Sequence, residues 1–429
     1  MKRLVAALLM ALPLAAQPQG DKAEAVQTFQ LQNGLRVLLL ENHQHPLIRL
    51  QLRAIWAPLE RKEARPNPEI KENVPKVAPQ GPMPLESLAL RVLSQCAVGN
   101  RSRKAFNRAV EERGLNLQLS GVPDGPVWNL SGGSPEAETA FALLADAATR
   151  PIPDGGDLDA LRLRLIHDLH EQGIQETARI DFFRQGERPD VALEPITEKN
   201  LGQIYLEDLQ RSIMMTLRPD RAVLAISGDL NLSQARQLVQ LNFGTWNEWS
   251  GRPAPITPKP TTTALVSQRV IVAADRPETI LALPLGPKDK GQRAARDLLS
   301  LWLPRLLGSH RCRIHPGAAG WRSLILTSEA SEASLREELL AVKHSGVKAR
   351  DLEQAKKLWI SRYRALALHP QEHLSRTAEA TLMGAEPTEL EIQNVGLTGI
   401  NETLRSWLDL DLARVLILGS EPSRVQKPK

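Results

Sequence analysis

Two groups of histidine and acidic residues have spacings that could bind a metal ion. The first is H-x-x-E-H in the second half of the chain, formed by His369, Glu372 and His373. On a helix, histidines four residues apart project from one face and could bind Zn²⁺, while the glutamate activates a bound water. The residue before a proline is pushed out of the α region, so Pro370 places His369 at the flank of the next helix. We interpret this stretch as a loop that opens a helix, with a zinc site as the alternative.

The second group lies on a helix predicted over residues 157–172. His167 and Glu171 are four residues apart and His170 lies near the same face, so they could hold a metal if another ligand approached. An exposed polar flank of the helix is the simpler interpretation.

A third group, His310, Cys312 and His315, lies in GSHRCRIHPG. Its alternation with arginines would place all three on one side of an extended segment, but no fourth ligand is nearby, so we interpret it as a surface loop. The chain has two cysteines, Cys96 and Cys312, whose wide separation favours two buried thiols over a disulfide.

The elements around one apolar helix form a recognisable order. The helix spans residues 85–100, LESLALRVLSQCAVGN, with apolar residues at spacings of three and four. An Asn33-Gly34 turn and two strands precede it, and a helix, a hairpin and a second helix follow it. Further on, RPD from Arg218, Gly-Asp from Gly228 and F-G-x-W from Phe243 complete the pattern. This order resembles the first domain of the insulinase (M16) family of zinc peptidases.

The resemblance implies that the helix over residues 85–100 should carry the family's own H-x-x-E-H. Aligned on this helix, the two histidines fall on Leu90 and Ser94, and the glutamate falls on Leu93. The family's third zinc ligand falls nearest to Asp168. Neither leucine nor serine supplies an imidazole, and no general base is present at position 93. The resemblance therefore implies a member without a catalytic residue, a metal or another cofactor in this place.

The same architecture starts again in the second half, where DLDLARVLILGSEP from Asp409 echoes RPDRAVLAISGDL from Arg218. We predict an internal duplication and an α+β fold of two homologous M16-like domains, each a mostly antiparallel sheet flanked by helices, which together form half a clamshell. In the first domain, the strands before and after the turn at residues 43–46 are predicted to pair. The predicted segments are a signal peptide 1–16, an N-terminal-type domain 25–250 with a proline-rich insert 58–84, a linker 251–263 and a C-terminal-type domain 264–425.

The first residues have the layout of a secretory signal peptide. Residues 1–17 begin with two positive charges, continue with a short apolar core and end with Ala15 and Ala16. The core is shorter than the roughly 20 residues of a membrane span, so we predict cleavage near Ala16, export to the periplasm or the extracellular space, and no stable membrane span. A net charge of +5 and 4% aromatic residues argue against a nucleic-acid partner.

These observations predict a non-catalytic peptidase homologue that helps to enclose unfolded peptide. By the resemblance, its partner would be an active M16 peptidase subunit or, in a homodimer, a second copy of the chain. Two alternatives stay open. One is a zinc-dependent endopeptidase whose site has moved to His369, Glu372 and His373, or to His167 and His170. The other is a stand-alone peptide-binding or structural module.

Overall fold

The computed structural model describes most of the chain. The described residues are 26–56, 85–122, 124–187, 196–246, 269–274, 276–286, 292–307, 311–316, 322–367, 369–383 and 387–419. The predicted signal peptide, proline-rich insert and linker lie outside these ranges, and the domain boundaries stay predictions. Among the described helices, none is both long and apolar enough to cross a bilayer.

The first half of the chain is built on a six-stranded sheet with the order β1, β2, β8, β3, β6, β5. Its strands are β1 (Gln27–Gln30), β2 (Arg36–Glu41), β3 (Leu47–Ala54), β5 (Asn116–Val122), β6 (Gly125–Gly133) and β8 (Ala222–Gly228). A short pair, β4 (Ala97–Val98) and β7 (Pro151–Ile152), lies outside it. The helices of this half are α1 (Leu85–Gln95), α2 (Arg103–Glu111), α3 (Ala137–Thr149), α4 (Gly155–Glu187), α5 (Glu198–Gly202), α6 (Leu206–Thr216) and α7 (Leu232–Phe243).

The predicted pairing of the strands on either side of the turn at residues 43–46 is wrong. These strands are β2 and β3, and β8 lies between them, parallel to β2 and antiparallel to β3. Ala222 to Ser227 of β8 are all buried, because both faces of this strand are covered. A strand that is almost wholly apolar and buried on both faces belongs in the centre of a sheet, and β8 therefore displaces the hairpin that sequence order favours.

Three of the motifs that carry the family resemblance meet at one end of this sheet. The Asn33 side chain donates to the backbone oxygens of Phe243 and Trp246 at 2.8 and 2.9 Å. Gly34 has a φ of 93°, and a Cβ built there would lie 3.2 Å from the Cα of Asp220. Arg218 in turn donates to both carboxylate oxygens of Asp220, at 2.9 and 3.0 Å. The motifs therefore stabilise the fold by fixing the turns before β2 and β8.

The second half repeats this arrangement in a five-stranded sheet with the order β11, β12, β10, β13, β9. Its strands are β9 (Arg269–Val272), β10 (Glu278–Leu285), β11 (Arg311–Pro316), β12 (Arg322–Ser328) and β13 (Arg414–Leu418). Its helices are α8 (Arg293–Leu306), α9 (Glu332–Ser345), α10 (Ala349–Ala367), α11 (Pro370–Met383), α12 (Glu389–Gln393) and α13 (Leu397–Trp407). As β8 does in the first sheet, β13 pairs in parallel with one neighbour and antiparallel with the other. The two-domain α+β fold and its duplication are confirmed.

Each sheet has an inner face, packed against helices of its own half, and an outer face. The inner face of the first sheet buries Leu39, Ile48 and Leu50, each at most 1% exposed, against α1, α3 and neighbouring helices. Burial of each such side chain stabilises the fold by about 1.5–3 kcal/mol. The inner face of the second sheet buries Leu283 and Leu324 in the same way.

The outer faces are covered by an exchange of helices between the halves. Leu374, Ala378 and Leu382 of α11 pack on the outer face of the first sheet. In the same way, Phe182 at the end of α4 packs on the outer face of the second sheet. A kink in α4 makes this possible, since Gly173 has a φ of 69° and redirects the chain from the first half to the second. Each half therefore completes its core with a helix from the other.

The segment interpreted as a surface loop is partly the edge strand β11, so that interpretation is wrong. Cys312 packs on the second core, while His315 lies 3.3 Å from Glu187 at the end of α4. Residues an odd number apart on a strand point to opposite faces, so Cys312 and His315 do not share a side as predicted. His310 lies outside the described residues.

Both thiols are expected to be unreactive in the folded protein. Cys96 and Cys312 lie in different cores, and burial raises the pKa of Cys96 to about 11 and that of Cys312 to about 12. At pH 8 only about one Cys96 side chain in a thousand is then the reactive thiolate. Ellman's reagent should detect no thiol in the native chain at pH 8 and two in denaturant. A native mass two daltons below the reduced mass would reveal a disulfide and contradict this expectation.

Candidate functional site

The helix α1 carries the three positions at which the resemblance expects metal chemistry. Leu93 is 3% exposed and belongs to the first core. Ser94 is exposed, and its hydroxyl donates to the backbone oxygen of Arg91 in its own helix at 2.6 Å. Leu90 is half-buried against the same core. A zinc site here would need two imidazoles and a carboxylate. The chain instead has two leucines, Leu90 and Leu93, and the Ser94 hydroxyl, which is hydrogen-bonded within its own helix.

The structure brings Asp168 of α4 to this same place. The Arg91 guanidinium lies 3.6 Å from the Asp168 carboxylate, and both side chains are partly exposed. An exposed ion pair of this kind adds at most about 1 kcal/mol to stability. It matters here because it lies at the position expected for the metal. The acid that sequence comparison selects as the nearest match to the third ligand is adjacent to α1, and it faces an arginine there. Sequence reasoning did not single out Arg91.

The edge strand β5 runs next to these positions. It is the last strand of the first sheet and, within the described residues, pairs only with β6. Leu90 packs directly on it, since a Cβ built on Gly121 would lie 2.3 Å from Leu90 Cδ2. The outward N–H and C=O groups of an edge strand can pair with another extended chain. A peptide-pairing edge and the altered helix are thus neighbours.

The two histidine groups singled out in the sequence do not form a compact ligand set. On α4, His167 and His170 are exposed, and His170 Nε2 lies 3.9 Å from Glu198. The helix α11 begins at Pro370, so His369 precedes it as Pro370 indicated, while His373 lies inside it. Among the described residues, no three His, Cys, Asp or Glu side chains lie close enough together to bind one ion.

A cluster that the sequence did not reveal lies where β2 and β8 end. His43 Nδ1 is 2.7 Å from Asp229, and His43 Nε2 is 3.5 Å from Glu41. Ser134 also donates to Asp229, at 3.0 Å. The hydrogen bond with Asp229 raises the pKa of His43, and the same bond lowers the pKa of Asp229. The Gly-Asp motif in the sequence already contained Asp229. Its partner His43 is 186 residues away in sequence, so the sequence did not indicate the pair.

This pair should stabilise the folded chain most between about pH 4 and pH 6.5. The pKa of His43 is raised, so its contribution is fully present below its ordinary value of 6.5 and is lost as the pH rises through the folded value. The pKa of Asp229 is lowered from 3.8, so its contribution is present above that value and is lost as the pH falls through the folded value. NMR titration should find the pKa of His43 above 6.5, and closer to 6.5 in Asp229→Asn. The same pKa in both proteins would show that Asp229 does not control it.

Comparison with known proteins agrees with the fold. Residues 203–309 match the family model described as "Peptidase M16 inactive domain". A protease from Helicobacter pylori superposes with a TM-score of 0.71 and 12% identity, covering 92% of this chain and 100% of its own.

Two further structures are similar. A peptidase M16 inactive domain from Pseudomonas fluorescens gives a TM-score of 0.69 at 17% identity, with 94% of this chain and 99% of the other covered. The periplasmic protease PqqL from Escherichia coli gives 0.66 at 15% identity, with 95% of this chain covering 50% of the longer protein. No curated protein matches significantly in sequence.

Proposed function

We propose that this chain, a degenerate member of the M16 family, is an exported, non-catalytic subunit that helps to enclose unfolded peptide. Its partner is an active, zinc-bearing M16 peptidase subunit or a second copy of the chain. The observation that carries the proposal is the state of α1, in which the residues at the metal positions do not fit zinc. Leu90 and Leu93 offer no donor atom, and Ser94 is bound to its own helix.

The Arg91–Asp168 contact supports the same conclusion. A carboxylate that faces a guanidinium is neutralised without a metal ion, and the guanidinium occupies the side of α1 that faces α4. A cation near Asp168 would also repel Zn²⁺. Because zinc would have to activate the attacking water, this half of the molecule has no means to hydrolyse a peptide bond at α1.

The edge strand next to α1 supports a role in peptide binding. The edge strand β5 extends from Asn116 to Val122 next to the altered helix, so an extended peptide can add to the sheet without being cut. Retention of the peptide-pairing edge together with loss of the donor atoms favours a subunit that holds peptide while a partner supplies the chemistry.

Two observations support export. Residues 1–17 have the layout of a signal peptide. The similar PqqL from Escherichia coli is a periplasmic protease. Together they favour the periplasm of a bacterial cell as the place where this chain meets its partner.

The test measures the zinc content of the mature chain and identifies the proteins that co-purify with it. The chain starts at Gln17 and is purified from its native envelope without chelator or His tag. We expect less than about a tenth of an equivalent of zinc in the isolated chain, no peptide hydrolysis by it, and co-purification of a zinc-bearing M16 chain or of a homodimer. The positive control for zinc uptake is Leu90→His combined with Ser94→His and Arg91→Ala, which restores an i, i+4 imidazole pair beside Asp168 and removes the cation that faces it.

Two results would change the proposal. About one equivalent of zinc that is lost in His373→Ala or in His167→Ala would mean a relocated site and an active endopeptidase. A zinc-free monomer that binds peptide but retains no partner would favour the stand-alone module. In either case the partner role would be wrong.

A further inference from the structure

The outer face of the first sheet carries polar side chains that α11 does not cover completely. The strands β3, β6 and β5 turn most of their apolar residues to the inner core and alternate them with polar residues on the outer face. Directly paired positions place these polar residues in two rows across the three strands. One row is Gln51, Asn129 and Gln118, and the other is Arg49, Ser131 and Asn116.

The two rows line a cavity of about 330 Å³ between the sheet and α11, here called the amide groove. Gln371 and Ser375 of α11 form its other wall. A second cavity of about 320 Å³ continues from it toward the start of α11, and the two share Arg49, Ser227 and Gln371. The space is therefore long enough for more than one polar group of a ligand.

Several groups in the amide groove have unused hydrogen-bonding capacity. Gln51 Nε2 donates to Asn129 Oδ1 at 2.9 Å, but Gln51 Oε1 is buried without a hydrogen bond. Ser227 is 7% exposed and faces both cavities, and its hydroxyl has no partner within the part of the chain that the structure describes. A buried acceptor without a partner is costly, and a donor bound to Gln51 Oε1 would recover that cost.

The charge of the amide groove selects the ligand. Arg49 is the one charged side chain among the described residues that line it, and Arg49 forms no ion pair or hydrogen bond within those residues. Glu372 borders only the neighbouring cavity. An unpaired guanidinium next to neutral amides attracts a carboxylate and can bind both of its oxygens.

The remaining lining indicates which molecule carries that carboxylate. Carboxamides both donate and accept hydrogen bonds, as a peptide unit does, so Gln51, Asn129 and Gln118 complement a polypeptide main chain. No aromatic ring is among the described residues that line the groove, so it offers no platform for stacking a nucleobase.

We propose that the amide groove binds an extended peptide segment through a carboxylate of that segment. Arg49 holds the carboxylate, while Gln51 and Asn129 hydrogen-bond the adjacent peptide units and Ser227 binds a donor at the base of the groove. The site lies on the outer face of the sheet, opposite α1, and is distinct from the β5 edge. It rests on the proposed peptide-enclosing function and adds a preference for acidic segments.

The experiment compares two fluorescent peptides with the full-length mature chain by anisotropy. Each has about eight polar, uncharged residues, long enough to lie across the three strands, and one central position is Glu in one peptide and Gln in the other. We expect the Glu peptide to bind at least about tenfold more tightly, and Arg49→Met to remove that difference. Gln51→Leu should weaken both peptides. Arg405→Met, at an exposed arginine of α13 that also has no partner among the described residues, should change neither.

Three outcomes would overturn the site. Arg49→Met could leave the preference for the Glu peptide unchanged, which would remove the carboxylate site but leave the peptide-enclosing function standing. Succinate could bind in an Arg49-dependent manner while neither peptide binds, which would make the occupant a free acid. If neither peptide binds and no partner co-purifies, the proposed function and the groove fail together. A thermal melt of each variant shows whether it is folded.

Discussion

Gly228→Ala is expected to cost more than about 4 kcal/mol of the free energy of unfolding, or to prevent the first domain from folding. Gly228 ends β8 with a φ of 131°, and a Cβ built there would lie 2.0 Å from the carbonyl oxygen of Leu47 and 2.9 Å from the Cα of Ile48. Both atoms belong to the backbone of β3 in the centre of the sheet. Because no side chain can move aside, β3 and β8 would have to separate.

The duplication supplies a matched control for this substitution. Gly419 directly follows β13 with a φ of 128°, but the nearest atom to a Cβ there is the Cα of Pro277 at 3.3 Å. Gly419→Ala therefore carries the same backbone strain without the collision, and we expect it to cost about 1–3 kcal/mol.

Urea unfolding should separate the two variants, and hydrogen exchange resolved by peptide should locate the damage in β3 and β8 of Gly228→Ala. The second measurement is needed because a two-domain chain can unfold in more than one transition. Equal losses in the two variants would show that backbone strain, and not the contact with Leu47, makes glycine necessary at position 228.

Ala378→Asp is expected to release α11 from the first sheet, at a cost of about 3–5 kcal/mol. Ala378 is 0% exposed and packs with Leu38, Leu40 and Val223 on the outer face of that sheet. A carboxylate at this position would be buried among apolar side chains with no cation beside it in that cluster. Release of the helix would also expose apolar strands to water.

Ala380→Asp is the control on the same helix. Ala380 is only half-buried, and it is two residues from Ala378, so it does not lie on the stripe formed with Leu374 and Leu382. It undergoes the same change in helix propensity, which costs roughly 0.7 kcal/mol. Limited proteolysis should cut α11 rapidly in Ala378→Asp and slowly in Ala380→Asp. Equal protection in both would mean that α11 does not depend on this contact.

Local signals in the sequence were enough for most of the first half and for its repetition. The Asn33-Gly34 turn, the Arg-Pro-Asp turn and the F-G-x-W stretch lie in different parts of the sequence, but each has a fixed backbone shape that a short motif can specify. Asn33 contacts the F-G-x-W stretch and Gly34 contacts Asp220 of the Arg-Pro-Asp turn, so these motifs mark the fold and not the chemistry. The positions Leu90, Leu93 and Ser94 could likewise be assigned by alignment to one helix.

Features that depend on distant pairing could not be read in the same way. The place of β8 between β2 and β3 depends on which strands need cover on both faces, and sequence order favours the hairpin instead. The kink at Gly173 looks like one tolerated glycine in a helical pattern. The amide groove appears only when the register aligns Gln51, Asn129 and Gln118 across three strands. The alternation within each strand was visible, but the rows were not.

The exchange of α11 and the end of α4 between the halves implies an order of events in the ancestry of this fold. A single ancestral copy would have had its outer sheet face bare, because the helix that covers that face comes from the other copy. It could have hidden this face by swapping helices with an identical chain, as in a symmetric dimer. Gene duplication and fusion would then have joined two chains whose sheets already depended on each other's helices for cover. Either copy could afterwards lose its catalytic residues and still be required for folding.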